Sequence, residues 1–371
     1  MLFCLLKYRA EKRIYPQNRE AIILEKPITW TQYLDTKVSR ESYAISQQQC
    51  GRALSYQRNI IGKLVRSLEP KTIACMGSGF LNDLPIRILF SQDTQVTLVD
   101  WIEGISQEGV SHQIISKSND EYHCLFCDKN IGNAYCKNFT NELLTEGVCT
   151  AFVPVDGPSI TCQNYEPNAE PKFLQCDITA GYGNHFANAM QKKINSCKTP
   201  KEVFTRAIKL CSQLETRRNP IPVEDNSIDL VTSSMVLSQF DYEPYNYFAQ
   251  ILEQCYGRDQ ILAHEKVLRP LMEELRTKLF VEQARRHTQE LYRLAKKDGT
   301  ARVYLSVELF RSDNDDSLYF LVQDISKALD IINEYFLFDL EAISRNDILH
   351  HVDIDNGTSV IQNYVLVPRT H

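Results

Sequence analysis

The chain reads as a three-layer α/β protein built on a mostly parallel sheet, and three stretches predict it. The first is Lys71–Glu103, KTIACMGSGFLNDLPIRILFSQDTQVTLVDWIE, where two short apolar runs flank a glycine turn and a helical pattern. Two apolar runs joined through a helix make a βαβ unit, because parallel strands need a long crossover. The second is a pair of later strands with polar ends, Phe173–Ile178 and Ile228–Thr232, the latter followed by Ser233 and Ser234. The third is the pair of C-terminal strands, His350–Ile354 and Val360–Pro368, joined through Asp355-Asn356-Gly357. Asn-Gly suits the positive φ angles of a tight hairpin, so the sheet is expected to end on an antiparallel pair.

In chain order, MLFCLLKYRAEKR has too short an apolar run for a signal peptide, and its charges follow the run. No apolar stretch approaches the roughly 20 residues that span a bilayer, so the protein is expected to be soluble and cytoplasmic, with no membrane partner. Ser39–Leu68 has Leu54, Ile60, Ile61, Leu64 and Leu68 at helical spacing. The stretch 1–70 is therefore expected to form an N-terminal helical cap, and 71–371 a single α/β domain with an insertion at about 107–170.

Within the βαβ unit the expected order is strand Thr72–Met76, turn Gly77-Ser78-Gly79, helix Leu81–Phe90 and strand Val96–Val99, ending on Asp100. Open parallel sheets bind ligands outside the carboxyl ends of their strands, where both the turn and Asp100 fall. Gly77 and Gly79 permit backbone angles closed to other residues and a close approach to the main chain. Asp100 stands where a carboxylate accepts from a ribose diol. A dinucleotide fingerprint would need a third glycine where Asn82 stands, and a phosphate loop would need a GK[ST] ending that is absent.

The series of G-x-G turn, acid after strand two, acid after strand three (Asp177) and DNSIDLVTSS (Asp225–Ser234) resembles the class I S-adenosylmethionine-dependent methyltransferases. The resemblance runs from about Tyr56 to the C-terminus, interrupted by the insertion, and implies a Rossmann-like methyltransferase sheet with S-adenosylmethionine as cofactor. It implies that Gly77, Ser78 and Gly79 line the methionine part, that Asp100 holds the ribose and that Trp101 stands beside the adenine. It further implies Asp177 as acceptor from the adenine amino group, Ile178 packed on the ring and Ser233 bordering the transferred methyl. A helix before the first strand would bring Tyr56 and Arg58 to the cofactor, Arg58 to its carboxylate; a surface tyrosine and a solvated arginine are the alternative. Two positions depart from the family pattern. Cys75 stands where an acid is usual and Leu81 where a third glycine is usual, so the ammonium end of the cofactor needs another partner.

After Asp100, about seventy residues precede Phe173, far more than a plain connection needs. This insertion holds Cys124, Cys127, Cys136, Cys149 and Cys162, with His112 and His123. Cys124 and Cys127 have the C-x-x-C spacing of zinc ligands, but no second C-x-x-C follows, which leaves ordinary reduced cysteines as the other reading. By its position the segment is expected to be a lid that shapes the substrate pocket, with a surface open to a protein partner.

The remaining elements support the domain. Gly181–Arg218 is predicted helical, with Lys192, Lys193, Lys198, Lys201, Arg206 and Lys209 on a solvated face. After strand four come Phe240, Tyr242, Tyr245, Tyr247 and Phe248, read either as an aromatic rim for substrate or as core. Asp241 and Tyr242 are the candidate base or orienting groups. Glu265–Lys297 is a long helix, with a break expected at Arg269-Pro270 and a stop at Asp298-Gly299. Ala301–Phe310 is the fifth strand, and Leu329–Leu340 a helix.

A 371-residue chain with 43% hydrophobic content buries a full core, and a net charge of −6 gives no pull toward nucleic acid. Ser-Ser-Met-Val after strand four is not the Asn/Asp-Pro-Pro-Tyr/Phe run of amino-group methyltransferases. The expected activity is therefore methyl transfer to an O, N or S nucleophile of a small or medium organic molecule. The competing readings are a protein methyltransferase and a non-catalytic interaction module of the same fold.

Overall fold

The computed structural model describes residues 28–35, 56–79, 81, 83–89, 94–102, 104–106, 115–118, 121–124, 152–154, 160–162, 171–214, 218–313, 318–320, 322, 324–354 and 357–370. Helix α1 is Trp30–Asp35, and α2 covers 56–68. Strand β1 (Thr72–Met76), the short α3 (Ile86–Leu89) and β2 (Gln95–Asp100) form the βαβ unit. Two hairpins follow in the insertion, β3 (Ile115–Ser118) with β4 (Glu121–Cys124) and β5 (Phe152–Pro154) with β6 (Ile160–Cys162). Then come β7 (Lys172–Gln175), α4 (Tyr182–Lys193), α5 (Pro200–Gln213) and β8 (Leu230–Ser233). Helices α6 (Tyr242–Tyr256), α7 (Arg258–Ala263) and α8 (Glu265–Leu294) lead to β9 (Arg302–Asp313). The chain closes with β10 (Leu318–Phe320), α9 (Ile325–Tyr335), β11 (Phe336–Phe338), α10 (Arg345–Ile348), β12 (Leu349–Ile354) and β13 (Gly357–Pro368).

The main sheet runs β11-β13-β9-β8-β1-β2-β7, with β10 on β9 and β12 on β13. β7, β2, β1, β8 and β9 are parallel to their neighbours, while β13 is antiparallel to β9, β11 and β12. From β1 the chain steps outward to β2 and β7, then returns to the other side of β1 as β8. The strand order therefore reverses between β1 and β8, and the crevice outside their carboxyl ends is where such sheets hold ligands.

Alternation along β1 separates the two faces. Ile73 and Cys75 join Ile60, Ile61, Leu64 and Val65 of α2, while Ala74 and Met76 join Phe280 and Ala284 of α8. The sheet thus has a helical layer on each side, as the unbroken buried runs of its central strands require. A third apolar cluster lies among α1, α4, α5, α6 and α8, where Phe186, Phe204, Phe248 and Leu279 are buried. Among the described residues no helix is long and apolar enough to cross a membrane.

Several expected elements are corrected. The helix predicted over Leu81–Phe90 shortens to α3, because Leu81 adopts φ +60° and its N–H closes a turn on Ser78 O (2.8 Å). Pro270 lies inside an unbroken α8 and forgoes one backbone bond, while Leu268, Met272 and Leu275 anchor that end in the core. The same helix stops at Leu294, not at Asp298-Gly299. The turn at 224–227 ends it, with Asn226 N–H donating to Arg293 O (2.8 Å) and Ser227 N–H to Leu294 O (3.0 Å). The helix predicted over Leu329–Leu340 lies earlier: Asp324 caps it by accepting from Lys327 N–H (3.1 Å), and the chain pairs as β11 from Phe336. The basic stretch follows prediction, with Lys192, Lys193, Lys198, Lys201 and Lys209 exposed.

Candidate cofactor-binding site

The glycine turn leaves β1 at the switch point. Gly77 and Gly79 have φ of +64° and +47°, and the loop closes through Ser78 N–H on Val99 O (3.1 Å). Ser78 is buried, its hydroxyl against Ser106 Oγ (2.7 Å). The two glycines serve different ends. A Cβ on Gly77 would come within 2.6 Å of Val236 Cγ2, whereas one on Gly79 would meet, among the described residues, nothing nearer than Gly77 O at 3.9 Å. Among the described residues, the loop is therefore more open at Gly79 than at Gly77.

Asp100 ends β2 beside Gly79. Its Oδ2 accepts from Gly79 N–H (2.7 Å) and its Oδ1 from Ile102 N–H (3.0 Å). Burial pushes its carboxyl above the ordinary carboxylate range, against these backbone donors. The Trp101 N–H is a third backbone donor to the same carboxylate.

On the β7 side, Asp177 is buried and caps α4. It accepts from Thr179 N–H (2.8 Å), from the Thr179 hydroxyl and from Asn184 N–H (3.0 Å). Trp101 donates its indole N–H to Asn184 Oδ1 (2.7 Å), and Trp30 of α1 donates to the same oxygen (2.7 Å). The two indoles lie 4.9 Å apart, and a Cβ on Gly183 would sit 2.5 Å from the Trp101 ring. Ile178 follows Asp177 and is buried in the apolar cluster with Val99 and Val236.

Ser233 ends β8, fully buried. Its hydroxyl meets His287 Nε2 of α8 (2.8 Å), whose Nδ1 meets Ile178 O (3.1 Å). A carbonyl only accepts, so Nδ1 carries the proton and Nε2 accepts from Ser233. Desolvation holds the imidazole neutral, lowering it to about 4. His287 thus ties the β7 turn to the end of β8, a link that sequence reading missed because a lone histidine on an apolar helix stripe carries no local signal.

The remaining candidates fall in two places. Tyr56 donates to Asp347 Oδ1 (3.0 Å) and stacks on His350 at 3.5 Å, which fastens α2 to the C-terminal strands. Arg58, one residue past Gln57, lies in electrostatic reach of Asp83. Asp241 is buried in an ion pair with Arg276 (2.6 Å), and burial raises its carboxyl. The aromatic rim resolves largely as core: Phe240, Tyr245, Tyr247 and Phe248 are buried, and Tyr242 alone of the five is exposed, at 40%. Asp241 thus anchors α6 to α8, with its carboxylate turned to Arg276 and shut off from solvent.

The two departures in the glycine loop also have places. Leu81 takes the left-handed angle that a glycine would adopt freely, held by complete burial of its side chain. Cys75 is buried, and desolvation pushes its thiol up to about 12, so it is a neutral, apolar neighbour. Cys127, Cys136 and Cys149 lie outside the described residues, and among the described residues no cluster of metal-ligating side chains occurs. A cavity of about 440 Å³ among α4, α5, α8 and α9 contains Tyr182, Cys211, Lys278 and Glu282 and none of the candidate cofactor residues.

No family model and no curated protein matches the chain. Solved structures that resemble it include a SAM-dependent methyltransferase from Aquifex aeolicus, at 9% identity over 91% of this chain and 98% of that one, TM-score 0.33. A Haloferax volcanii complex of the Trm112 methyltransferase activator with a methyltransferase gives 9% identity over 88% and 98%, TM-score 0.29. The plantazolicin methyltransferase BpumL bound to SAH gives 9% over 91% and 95%, TM-score 0.26. Superpositions this loose decide neither fold nor function, which rest here on the strand order and on the residues at the strand ends.

Proposed function

We propose that the chain transfers a methyl group from S-adenosylmethionine to an O, N or S nucleophile of a small or medium organic molecule. The observation that carries this reading is the bond between Asp100, the acid ending β2, and the N–H of Gly79, the more open glycine of the loop after β1. That bond sets a carboxylate and the main chain of the glycine loop side by side next to the switch point, where a ribose and its substituent at the 5′ position require them.

The bound cofactor supplies an electrophilic methyl on a sulfonium. The protein's part is orientation and exclusion of water. In this reading Asp100 accepts from the ribose hydroxyls while the backbone N–H groups of Gly79 and Ile102 hold its carboxylate in place. Gly77, Ser78 and Gly79 form the loop along the cofactor, with Gly79 more open than Gly77. Asp177 and Ile178 border the base, with Trp101 behind them held by Asn184 and Trp30. Ser233, its hydroxyl donating to His287, stands at the end of β8 behind the position of the methyl. Arg58 enters from α2, whose Tyr56 is held by Asp347 and His350 and serves to seat that helix, and exposed Tyr242 stands at the rim for the acceptor. The insertion would close over this face as a lid and choose the substrate, a small molecule or a protein.

A cofactor-free scaffold is the second reading. It draws on Val236, which covers Gly77, and on the apolar Cys75. Calorimetric titration with S-adenosylhomocysteine, using Asp100→Ala as control, separates the two: micromolar binding that the substitution removes supports the enzyme, and silence at millimolar ligand supports the scaffold.

A further inference from the structure

The chain has two tryptophans, and the fold brings both to one oxygen. Trp101 follows Asp100 at the end of β2, and its indole N–H donates to Asn184 Oδ1 (2.7 Å). Trp30 of α1 donates to that oxygen over the same distance, its ring 4.9 Å from the Trp101 ring and tilted by 60°. Asn184 in turn donates its backbone N–H to Asp177 Oδ2 (3.0 Å), so Asp177, Trp101 and Trp30 are joined through one α4 residue.

Helix α1 has six residues, too few to hold a helix alone in water, so its form depends on docking. Trp30 and Tyr33 are each 2% exposed, and Trp30 meets Tyr247 of α6 edge-on at 5.0 Å. The Tyr33 hydroxyl donates to Glu243 Oε2 (2.5 Å), the Tyr247 hydroxyl to Ile28 O (3.1 Å) and Ile28 N–H to Gln254 Oε1 (3.3 Å). These contacts seat Trp30 firmly. Trp101 is only half-buried, and its orientation rests on the Asn184 bond, the close approach at Gly183 and the Trp30 ring.

We propose that Trp30 is a positioning residue of the cofactor site: through Trp101 it sets the wall beside the adenine, so docking of α1 and binding of the adenosyl group strengthen each other. This rests on the S-adenosylmethionine reading of the same site. Linkage makes the effect reciprocal, since whatever docked α1 adds to nucleoside affinity the nucleoside adds to α1 docking. The amino acid end of the cofactor plays no part in it, so ligands with and without that end respond alike.

Two measurements on the full chain test this. The first needs no substitution: hydrogen exchange of residues 28–35, with and without saturating S-adenosylhomocysteine. Exchange there should slow by about fivefold or more, while α9, which packs away from the loop after β1, changes by less than about twofold. The second is Trp30→Phe, which keeps a ring against Tyr247 and removes the indole donor. Calorimetric titration should show S-adenosylhomocysteine and 5′-methylthioadenosine, which lacks the amino acid end, weakened alike by about fivefold or more. Exchange of 28–35 that ignores the ligand, or slows no more than α9, overturns the proposal. So does a Trp30→Phe variant that binds both ligands as the wild type does, or loses S-adenosylhomocysteine alone. Failure of both ligands to bind the wild type overturns the cofactor reading and the proposal with it.

Discussion

At the carboxyl edge of the sheet, the β2/β7 side and the β1/β8/β9 side treat their polar groups in opposite ways. On the first side, Asp177 is capped by Thr179 and Asn184, and both indoles donate to Asn184 Oδ1. The protein itself completes that set. On the second side, Asp83 is desolvated beside Arg58, and half of the Gln57 amide has no partner among the described residues. The first side is satisfied within the protein; on the second, burial raises the Asp83 carboxyl. A nucleoside needs shape and a few fixed acceptors, which a finished network gives.

The largest expected effect concerns the link between the two sides. His287 is neutral in the fold and titrates near 4, against 6.5 when unfolded. The unfolded chain therefore binds more protons between those values, and stability falls as pH falls. By about 1.4 kcal/mol per unit, roughly 3 kcal/mol is lost between pH 6.5 and 4. Urea unfolding across that range should show the loss, and His287→Gln should remove it. Next is Asn184→Ala, which strips two buried indole N–H groups of their acceptor and one α4 residue of its side-chain contacts. It should cost about 2 kcal/mol in urea unfolding, and a cost below about 0.5 kcal/mol would mean that the β2/β7 network is not what stiffens that side.

Asp83 carries the opposite sign to His287. Its folded carboxyl is raised from 3.8 to about 6, so the folded state holds the extra proton and stability falls as pH rises through that window. Asp83→Asn should therefore stabilise the ligand-free protein at pH 7, by on the order of 2 kcal/mol, and should do nothing below about pH 4. A destabilised Asp83→Asn would place the group in a settled ion pair and erase the contrast between the two sides. Smallest is Tyr242→Phe. Its ring is 40% exposed, so thermal unfolding should shift by less than about 0.5 kcal/mol, and any effect should appear only in the rate of transfer.

What the sequence revealed follows from how far apart the partners stand. Gly77, Gly79 and Asp100 were legible because each sits at a strand end, and strand ends show as the stop of an apolar run. The parallel order and the closing β12/β13 hairpin were legible for the same local reason, the latter through Asn356-Gly357. The other half of the site was not. The Tyr304–Gln57 contact spans 247 residues and the Ser233–His287 contact 54, and neither helix pattern distinguishes a histidine or glutamine that reaches the sheet. Leu81 hid as well, since a leucine at φ +60° contradicts its own propensity and is tolerated only because the side chain is fully buried. The aromatic run after β8 left both readings open, because a buried helix face and a substrate rim draw on the same residues, and burial of Phe240, Tyr245, Tyr247 and Phe248 decides for core.

The most direct test of the account is calorimetric titration of the full chain with S-adenosylhomocysteine, wild type against Asp100→Ala. The account predicts micromolar binding to the wild type and a loss of about a hundredfold or more in the variant, which lacks both the ribose acceptor and the bond that holds Gly79. Wild-type protein that stays silent at millimolar ligand, or an Asp100→Ala variant that binds as the wild type does, would contradict it.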